Sequence, residues 1–393
     1  MSALQGIRVI DLTQAMAGPF CTMLLADMGA EVIKVEPPER GEMTRKMGFG
    51  MSGDDSAAFL AINRNKRSVT LDLKSEAGQQ AFADLARTAD VLVENFRPGV
   101  TDRLGIDWET IHEVNERLIY ASISGFGQTG PNSRRPGFDL IAQGMSGVMS
   151  VTGEPDGEPV KCGIPVSDLS AGMYAAFGVL NALIARDRTG TGQRIDTSLF
   201  EAVLSFSIWE TAELWAGGRI PQPFGSAHRL TAPYQALRTK DGWVTVGGNN
   251  HGLWVRFCNT IGRPELIEDP RFETNDLRME NRLELQREAE SVMVEETTAT
   301  WVERFEQAGF PAGPIYNYEQ VFEDEHTLAR GMLQEYEHPV EGRVKTLGIP
   351  IKMSDTPGSI RLPAPLLSEH SDEIWGEVLG SERLEELRSE GVI

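Results

Sequence analysis

Along the first two hundred residues, short runs rich in β-branched side chains alternate with stretches whose apolar positions recur at helical spacing. IRVIDL (7–12) reads as a buried strand, and EVIKVE (31–36), SVTLDL (68–73), DVLVEN (90–95) and LIYASIS (118–124) read as further strands. Helical patterns fall between them over residues 19–29, Glu76–Thr88 and Asp107–Asn115. A strongly apolar helix opens at Asp168, with Met173, Ala176, Phe177, Leu180 and Ile184 at helical spacing. RIDTSL (194–199) and a helix from Leu199 to Ala216 close this part. Such alternation predicts an α/β fold, a sheet with helices on its faces.

Near Ala227 the texture changes. DGWVTVGGNN (241–250) reads as a strand running into a glycine-bearing loop, and charged helical segments follow at Asp276–Glu296 and Thr300–Gln307. This predicts a smaller α+β domain. The tail from Met332 is β- and Pro-rich and ends in an acidic helix, Ser371–Arg388. A chain of 393 residues exceeds the usual single core, and the changes of pattern divide it at 1–225, 226–330 and 331–393.

Charge narrows the function classes. Against 37 basic residues stand 58 acidic ones, a net charge of −21, which repels phosphate backbones and anionic lipid. Nucleic acid and membrane surfaces are therefore not expected as partners. Cys21, Cys162 and Cys258 lie far apart with no CxxC pair, which suits a reducing cytoplasm and offers no metal site. The longest apolar stretch, Met173 to Ala185, is shorter than the roughly 20 residues a bilayer requires. The opening MSALQGIRVIDLT lacks a signal-peptide pattern, so a soluble, cytoplasmic protein is expected.

Several motifs have two readings. GFGQTG (125–130) fits a dinucleotide fingerprint, but Pro131 and Pro136 stand where that motif needs a helix to begin. GMSGV (144–148) lacks the last glycine of a nucleophile elbow. Asp168, in GIPVSDLSAGMYAA, is either a helix N-cap or a carboxylate left accessible by small neighbours, able to attack an activated acyl group. Gly18-Pro19 after the first strand puts a helix start at the sheet's carboxyl edge, where amide groups favour negative charge. VENFRPGVTDRLG (93–105) repeats that arrangement, with Arg97 and Arg103 able to meet phosphates.

Together these segments resemble the class III CoA-transferases. The carriers are DLTQAMAGPFCTMLLADMGAEVIKVE, NRNKRSVTLDLK, VENFRPG, SGFGQTGP, SDLSAGMYAA and TGTGQRIDTSLFEA, then VGGNNHGLW and PAPLLSEHSDEI, spread from Leu4 to the end. The resemblance implies Asp168 as the catalytic aspartate. It implies CoA contacts at Met16, Ala17, Leu71, Asp72, Leu73, Lys74, Asn95, Phe96, Arg97 and Arg103. Gly247, Gly248, Asn249 and Asn250 correspond to the family's active-site glycine loop. The implied protomer has a Rossmann-like large domain built from both chain ends, a small domain from the middle, and a ring-like shape interlocked with a second copy as a homodimer. Met16 stands where the formyl-CoA enzyme has glutamine, Pro37 where it has arginine, and the four-glycine run is thinned, which argues against an oxalate-type acid.

The implied reaction moves CoA between carboxylic acids through an aspartyl-CoA thioester, with the CoA thioester as substrate and no cofactor or metal. The stretch 224–250 looks most like the succinyl-CoA:glutarate type, so the acids expected are C4–C5 dicarboxylates, with His228 and Arg229 as candidates for the far carboxylate. Racemases of the same fold need a histidine base where this chain has Phe138, which cannot accept a proton. A non-catalytic CoA-binding protein is the other alternative, against which the presence of Asp168 counts.

Overall fold

The computed structural model describes residues 2–51, 53 and 55–393. Six strands, β1 (Arg8–Asp11), β2 (Glu31–Glu36), β3 (Lys66–Thr70), β4 (Val91–Glu94), β5 (Ile119–Ser124) and β6 (Arg194–Ser198), form one sheet in the order β3-β2-β1-β4-β5-β6. Every pairing in it is parallel. Successive side chains of a strand point to opposite faces, so both faces need a cover. Val9, Val32, Val91, Val93 and Ile119 pack with Cys21 and Leu25 of the helix Ala17–Asp27 and with Ala171, Ala175 and Val179 of the helix Val166–Thr189. Ile10, Ile33, Val69, Leu92 and Tyr120 pack with Phe82 and Leu85 of the helix Glu76–Arg87, and with Trp375 and Leu387 near the chain's end. The C-terminal segment is tied to β3 and the residues after it: Trp375 Nε1 donates to the Thr70 carbonyl at 3.1 Å, and the Asp72 amide donates to the Val392 carbonyl at 2.8 Å.

Where elements differ from the sequence expectation, a side chain or a glycine accounts for it. The helix expected over 199–216 is two, Leu199–Leu204 and Ile208–Gly217, broken where the Ser205 hydroxyl takes the Ala202 carbonyl. That expected over 276–296 divides at Asn281, whose side-chain amide binds the Leu277 and Arg271 carbonyls. The final acidic helix divides at Gly380, which adopts φ +79°. The long apolar helix starts at Val166, with Pro165 as its N-cap. Asp168 therefore sits inside the first turn, and the N-cap reading of it is incorrect.

Contacts divide the chain into two compact units, Met1–Val148 with Lys161–Thr211 and His326–Ile393, and Met149–Val160 with Ala212–Glu325. The second unit holds an antiparallel sheet of β7 (Tyr234–Arg238), β8 (Trp243–Gly247) and β9 (Ala312–Pro314) over an aromatic core of Trp254, Phe257, Trp301 and Phe305. The 149–160 excursion has no counterpart in the sequence pattern.

The first unit contains a buried charge cluster at the carboxyl end of β1. Asp11 accepts hydrogen bonds from the Thr13 amide (2.8 Å) and hydroxyl (2.5 Å), the Thr22 hydroxyl (2.7 Å) and Lys66 Nζ (3.0 Å). Lys34 Nζ donates to the Thr13 carbonyl at 2.9 Å. Burial alone would raise the Asp11 pKa, but Lys34, Lys66 and the two hydroxyls hold it far below the carboxylate range. The stability this brings is present above that range and is lost on acidification. Lys66 is lowered to about 8 by burial, which outweighs the attraction of Asp11. Asp11→Ala strands two buried ammonium groups and should cost about 3–5 kcal/mol in urea unfolding. Lys66→Met leaves Asp11 beside Lys34 and should cost less.

Candidate active site

Where the strand order reverses between β1 and β4, open parallel sheets bind ligands. The turn after β1 lies there. Ala15 adopts φ +63°, strained for a residue with a Cβ, and the surroundings enforce it. Asn95, just after β4, accepts from the Gln14 amide at 2.9 Å and donates to the Gln14 carbonyl at 2.7 Å. Buried Glu42 accepts from the Ala15 amide at 3.3 Å. The Asn95 side chain is thus occupied in clamping this turn.

Two close backbone approaches complete the frame. A Cβ on Gly172 would lie 2.5 Å from the Ala17 carbonyl oxygen, so only glycine lets the Asp168 helix come this near the first turn. A Cβ on Gly125, after β5, would lie 2.8 Å from the Cα of Gly137. The result is a cavity of about 190 Å³ walled by Gln14–Ala17, Met43, Asn95, Arg97, Ile123–Gly125, Gly137, Phe138, Leu199 and Asp168.

Asp168 is half-buried, and no hydrogen bond to its carboxylate is found among the described residues. Burial, and after it the charge of Asp139, pushes its pKa up to about 7. A carboxylate with so little to stabilise its charge is more basic, hence a better nucleophile, than a solvated one. Phe138 is 67% exposed on the wall of the same cavity and offers no base.

Two further recesses adjoin this one. The first, about 140 Å³, has Leu12, Val35, Pro37, Leu71, Leu73, Phe96 and Leu104 as its apolar walls, with Asp72 and Lys74 also lining it. Gln14 lines both it and the Asp168 cavity. The second, about 790 Å³, collects four cations, Arg97, Arg103, Arg134 and Arg194, and Arg97 lines the Asp168 cavity too. All ten residues expected at CoA contacts line one of these three spaces, and so does Asp168. The sequence reading missed Arg134 and Arg194; Arg194 lies in the segment TGTGQRIDTSLFEA, but its role there was not read. It also missed Asp139 as a neighbour of Asp168.

The other expected residues belong to the second unit. The Gly248 amide donates to the Pro233 carbonyl at 2.7 Å, its carbonyl accepts from the Thr231 hydroxyl at 3.2 Å, and Asn250 caps the helix His251–Thr260. Gly247 donates to the Pro311 carbonyl at 3.0 Å, while Asn249 and Asn250 are exposed. Arg229 pairs with Glu213 at 3.1 Å and donates to the Gln222 carbonyl at 2.7 Å. His228 Nδ1 accepts from the Leu230 amide at 3.1 Å, its ring against Tyr234.

Residues 4–371 match the model of CoA-transferase family III. The chain is 40% identical over 395 residues to the succinyl-CoA:glutarate CoA-transferase of Mus musculus, covering 100% of this chain and 91% of the relative. It is 42% identical to the acetyl-CoA:oxalate CoA-transferase of Acetobacter aceti, covering 96% of each. Among solved structures, a CAIB/BAIF family protein from Brucella suis superposes with a TM-score of 0.86 at 38% identity, over 96% of this chain and 99% of that one. A parallel α/β sheet, a raised-pKa aspartate at its switch point and full-length likeness to such enzymes agree: the chain is an enzyme of the class III CoA-transferase family.

Proposed function

We propose that the enzyme transfers CoA from a succinyl-CoA-like donor to a C4–C5 dicarboxylate by covalent catalysis at Asp168. The observation that carries this reading is the half-buried Asp168 carboxylate, with no hydrogen-bond donor among the described residues, in a cavity joined to an apolar recess and to an arginine-lined one. The apolar recess around Leu71–Lys74 and Phe96 suits an adenine, and Arg97 and Arg103, with Arg134 and Arg194, suit the phosphates. CoA itself is the only carrier the reaction requires, so no further cofactor or metal enters.

The ionised Asp168 attacks the thioester carbonyl and expels CoA thiolate, leaving a mixed anhydride. The thiolate then attacks the aspartyl carbonyl and releases the donor acid as its carboxylate, giving aspartyl-CoA. The acceptor carboxylate runs the two steps in reverse. The amides at the start of the first helix, Met16 and Ala17, lack helical acceptors and are assigned to the developing oxyanions. Water must be excluded from both intermediates, a task given to the loop Gly247–Asn250. Asp168→Ala should retain CoA binding and lose turnover, and hydroxylamine added with acyl-CoA should modify Asp168 alone in mass spectra. Activity of the Ala variant above about a tenth of wild type would overturn the covalent route.

The acid specificity rests on the succinyl-CoA:glutarate relative, against the oxalate named for the Acetobacter aceti one, and on a cation for the distant carboxylate. Arg229 is assigned this role, with His228 beside it in sequence; Arg229 must exchange Glu213 for the substrate. Succinate or glutarate should be used far better than acetate or butyrate. Arg229→Ala should narrow that lead, as read by competing acids in one thioester assay. Equal use of acetate and glutarate by the wild type would refute the dicarboxylate reading.

The working form is assigned as a cytoplasmic, ring-like, interlocked homodimer. Support comes from the Asp168 helix, which is long and apolar enough to cross a bilayer, yet packs its small residues into the core and leaves Met173, Phe177, Leu180 and Ile184 exposed. An apolar stripe of this kind calls for a protein surface. Phe177→Glu should shift the dimer toward monomer in sedimentation velocity.

A further inference from the structure

Asp139 opens the short helix Asp139–Met145 and lies beside the nucleophile without lining its cavity. Its carboxylate has two partners. Oδ1 accepts from the Ser167 amide at 2.9 Å, one residue before Asp168. Oδ2 accepts from the side-chain amide of buried Gln143 at 2.7 Å, and Gln143 Oε1 in turn accepts from the Cys162 amide at 2.8 Å. The Ser167 hydroxyl also donates to the Asp139 carbonyl at 3.4 Å. We infer that Asp139 is a positioning residue for the Asp168 nucleophile, holding both the loop that enters its helix and the helix's first turn through a relay that only a carboxylate completes.

The relay's polarity carries the inference. Two backbone N–H groups, of Cys162 and Ser167, point into it from opposite ends and are fixed as donors. Cys162 binds the oxygen of Gln143, so Gln143 presents its NH₂ to position 139. A group at 139 that meets Gln143 and Ser167 together must accept twice, which an ionised Asp does and an Asn does not. Turning Gln143 over only moves the donor–donor conflict to Cys162. Thus the hydrogen bonds call for a carboxylate at position 139, next to Asp168.

That charge has a chemical consequence, resting on the covalent reading above. Forming aspartyl-CoA converts the Asp168 carboxylate into a neutral thioester while the donor acid leaves with the negative charge. Repulsion from Asp139 is therefore present in the free enzyme and absent once Asp168 is esterified, which favours capture of CoA. Other groups facing Asp168 do not duplicate this. Arg97 lines the cavity from the β4 side and carries the opposite sign of charge. The turn after β1 presents Gln14 and Met16, β5 ends in Ser124, the 43–46 segment offers Met43 and the Leu199–Leu204 helix offers Leu199. Glu42 lies behind the Ala15 amide.

The test compares wild type, Asp139→Asn, and Asp139→Asn with Gln143→Glu, using succinyl-CoA and glutarate between pH 5 and 9. In the double variant the new amide at position 139 donates to the new carboxylate at position 143 and accepts from the Ser167 amide. That carboxylate also accepts from the Cys162 amide, so every bond returns and the charge moves from position 139 to position 143, outside the Ser167 contact. Asp139→Asn should lower kcat roughly tenfold or more with KM for the acyl-CoA within about twofold, because the CoA contacts are on other loops. The double variant should regain most of kcat, and the acidic limb of its kcat/KM profile should move down by roughly half a pH unit or more. A purely structural role would not move that limb. Wild-type kcat and limb in the single variant, no recovery in the double, or recovery with an unmoved limb would each overturn the inference. Hydroxylamine trapping in the wild type separates the two readings. A modified Asp168 with unaffected Asp139 variants sinks this inference alone, whereas no modified Asp168 removes the covalent mechanism itself.

Discussion

Asp11 ends β1 with a charge that has no access to water, and the geometry at the sheet's carboxyl edge follows from how that charge is met. Thr13 folds back on it through amide and hydroxyl, Thr22 reaches it from the first helix, and Lys66 reaches it from β3. Lys34 then holds the Thr13 carbonyl. With these groups fixed, the chain between Thr13 and Ala17 has little freedom, and the left-handed Ala15 is the conformation that remains. Buried ion clusters of this kind add little net stability. What they impose is a direction: the turn faces Asp168 because every other orientation leaves a buried charge or hydroxyl unmet.

Asp168 is treated in the opposite way. Asp11 is surrounded by donors and stays ionised far into acid, whereas Asp168 is given burial, a like charge and, among the described residues, no donor. Both are aspartates at the edge of one sheet, so their difference is made entirely by neighbours. Glu94, at the end of β4, is a third case: burial pushes it up to about 7 although the Phe96 amide donates to it at 2.8 Å. Three carboxyl groups within one strand-end region thus span acid to neutral pH through burial and through the charges and donors around each.

Much of this was legible in the chain. Strand positions followed from β-branched runs, and β2 has the bounds 31–36 that its apolar run has. The site elements after β1 and β4 were legible because glycine and proline mark strand ends. Other features depend on tertiary partners that no local pattern encodes. Whether Asp168 caps its helix or projects from the first turn turns on Pro165, and helix breaks at Ser205 and Asn281 come from single side chains competing for carbonyls. Arg134 and Arg194 join the arginine recess from separate elements, so spacing could not unite them. Asn95 lines the cavity as expected, but the clamp its amide places on Gln14 is not visible in the sequence.

The Asp168 helix also has a mechanical side. Its 24 residues make a rod of about 36 Å, with Asp168 at one end and Arg186, bound to Asp90 at 2.9 Å, at the other. Gly172 presses the reactive end against the first turn without a side chain as cushion. A rod so fixed at both ends transmits torque. Whatever grips its exposed apolar edge grips the mounting of Asp168 as well, so a load on that surface reaches the cavity through one rigid element.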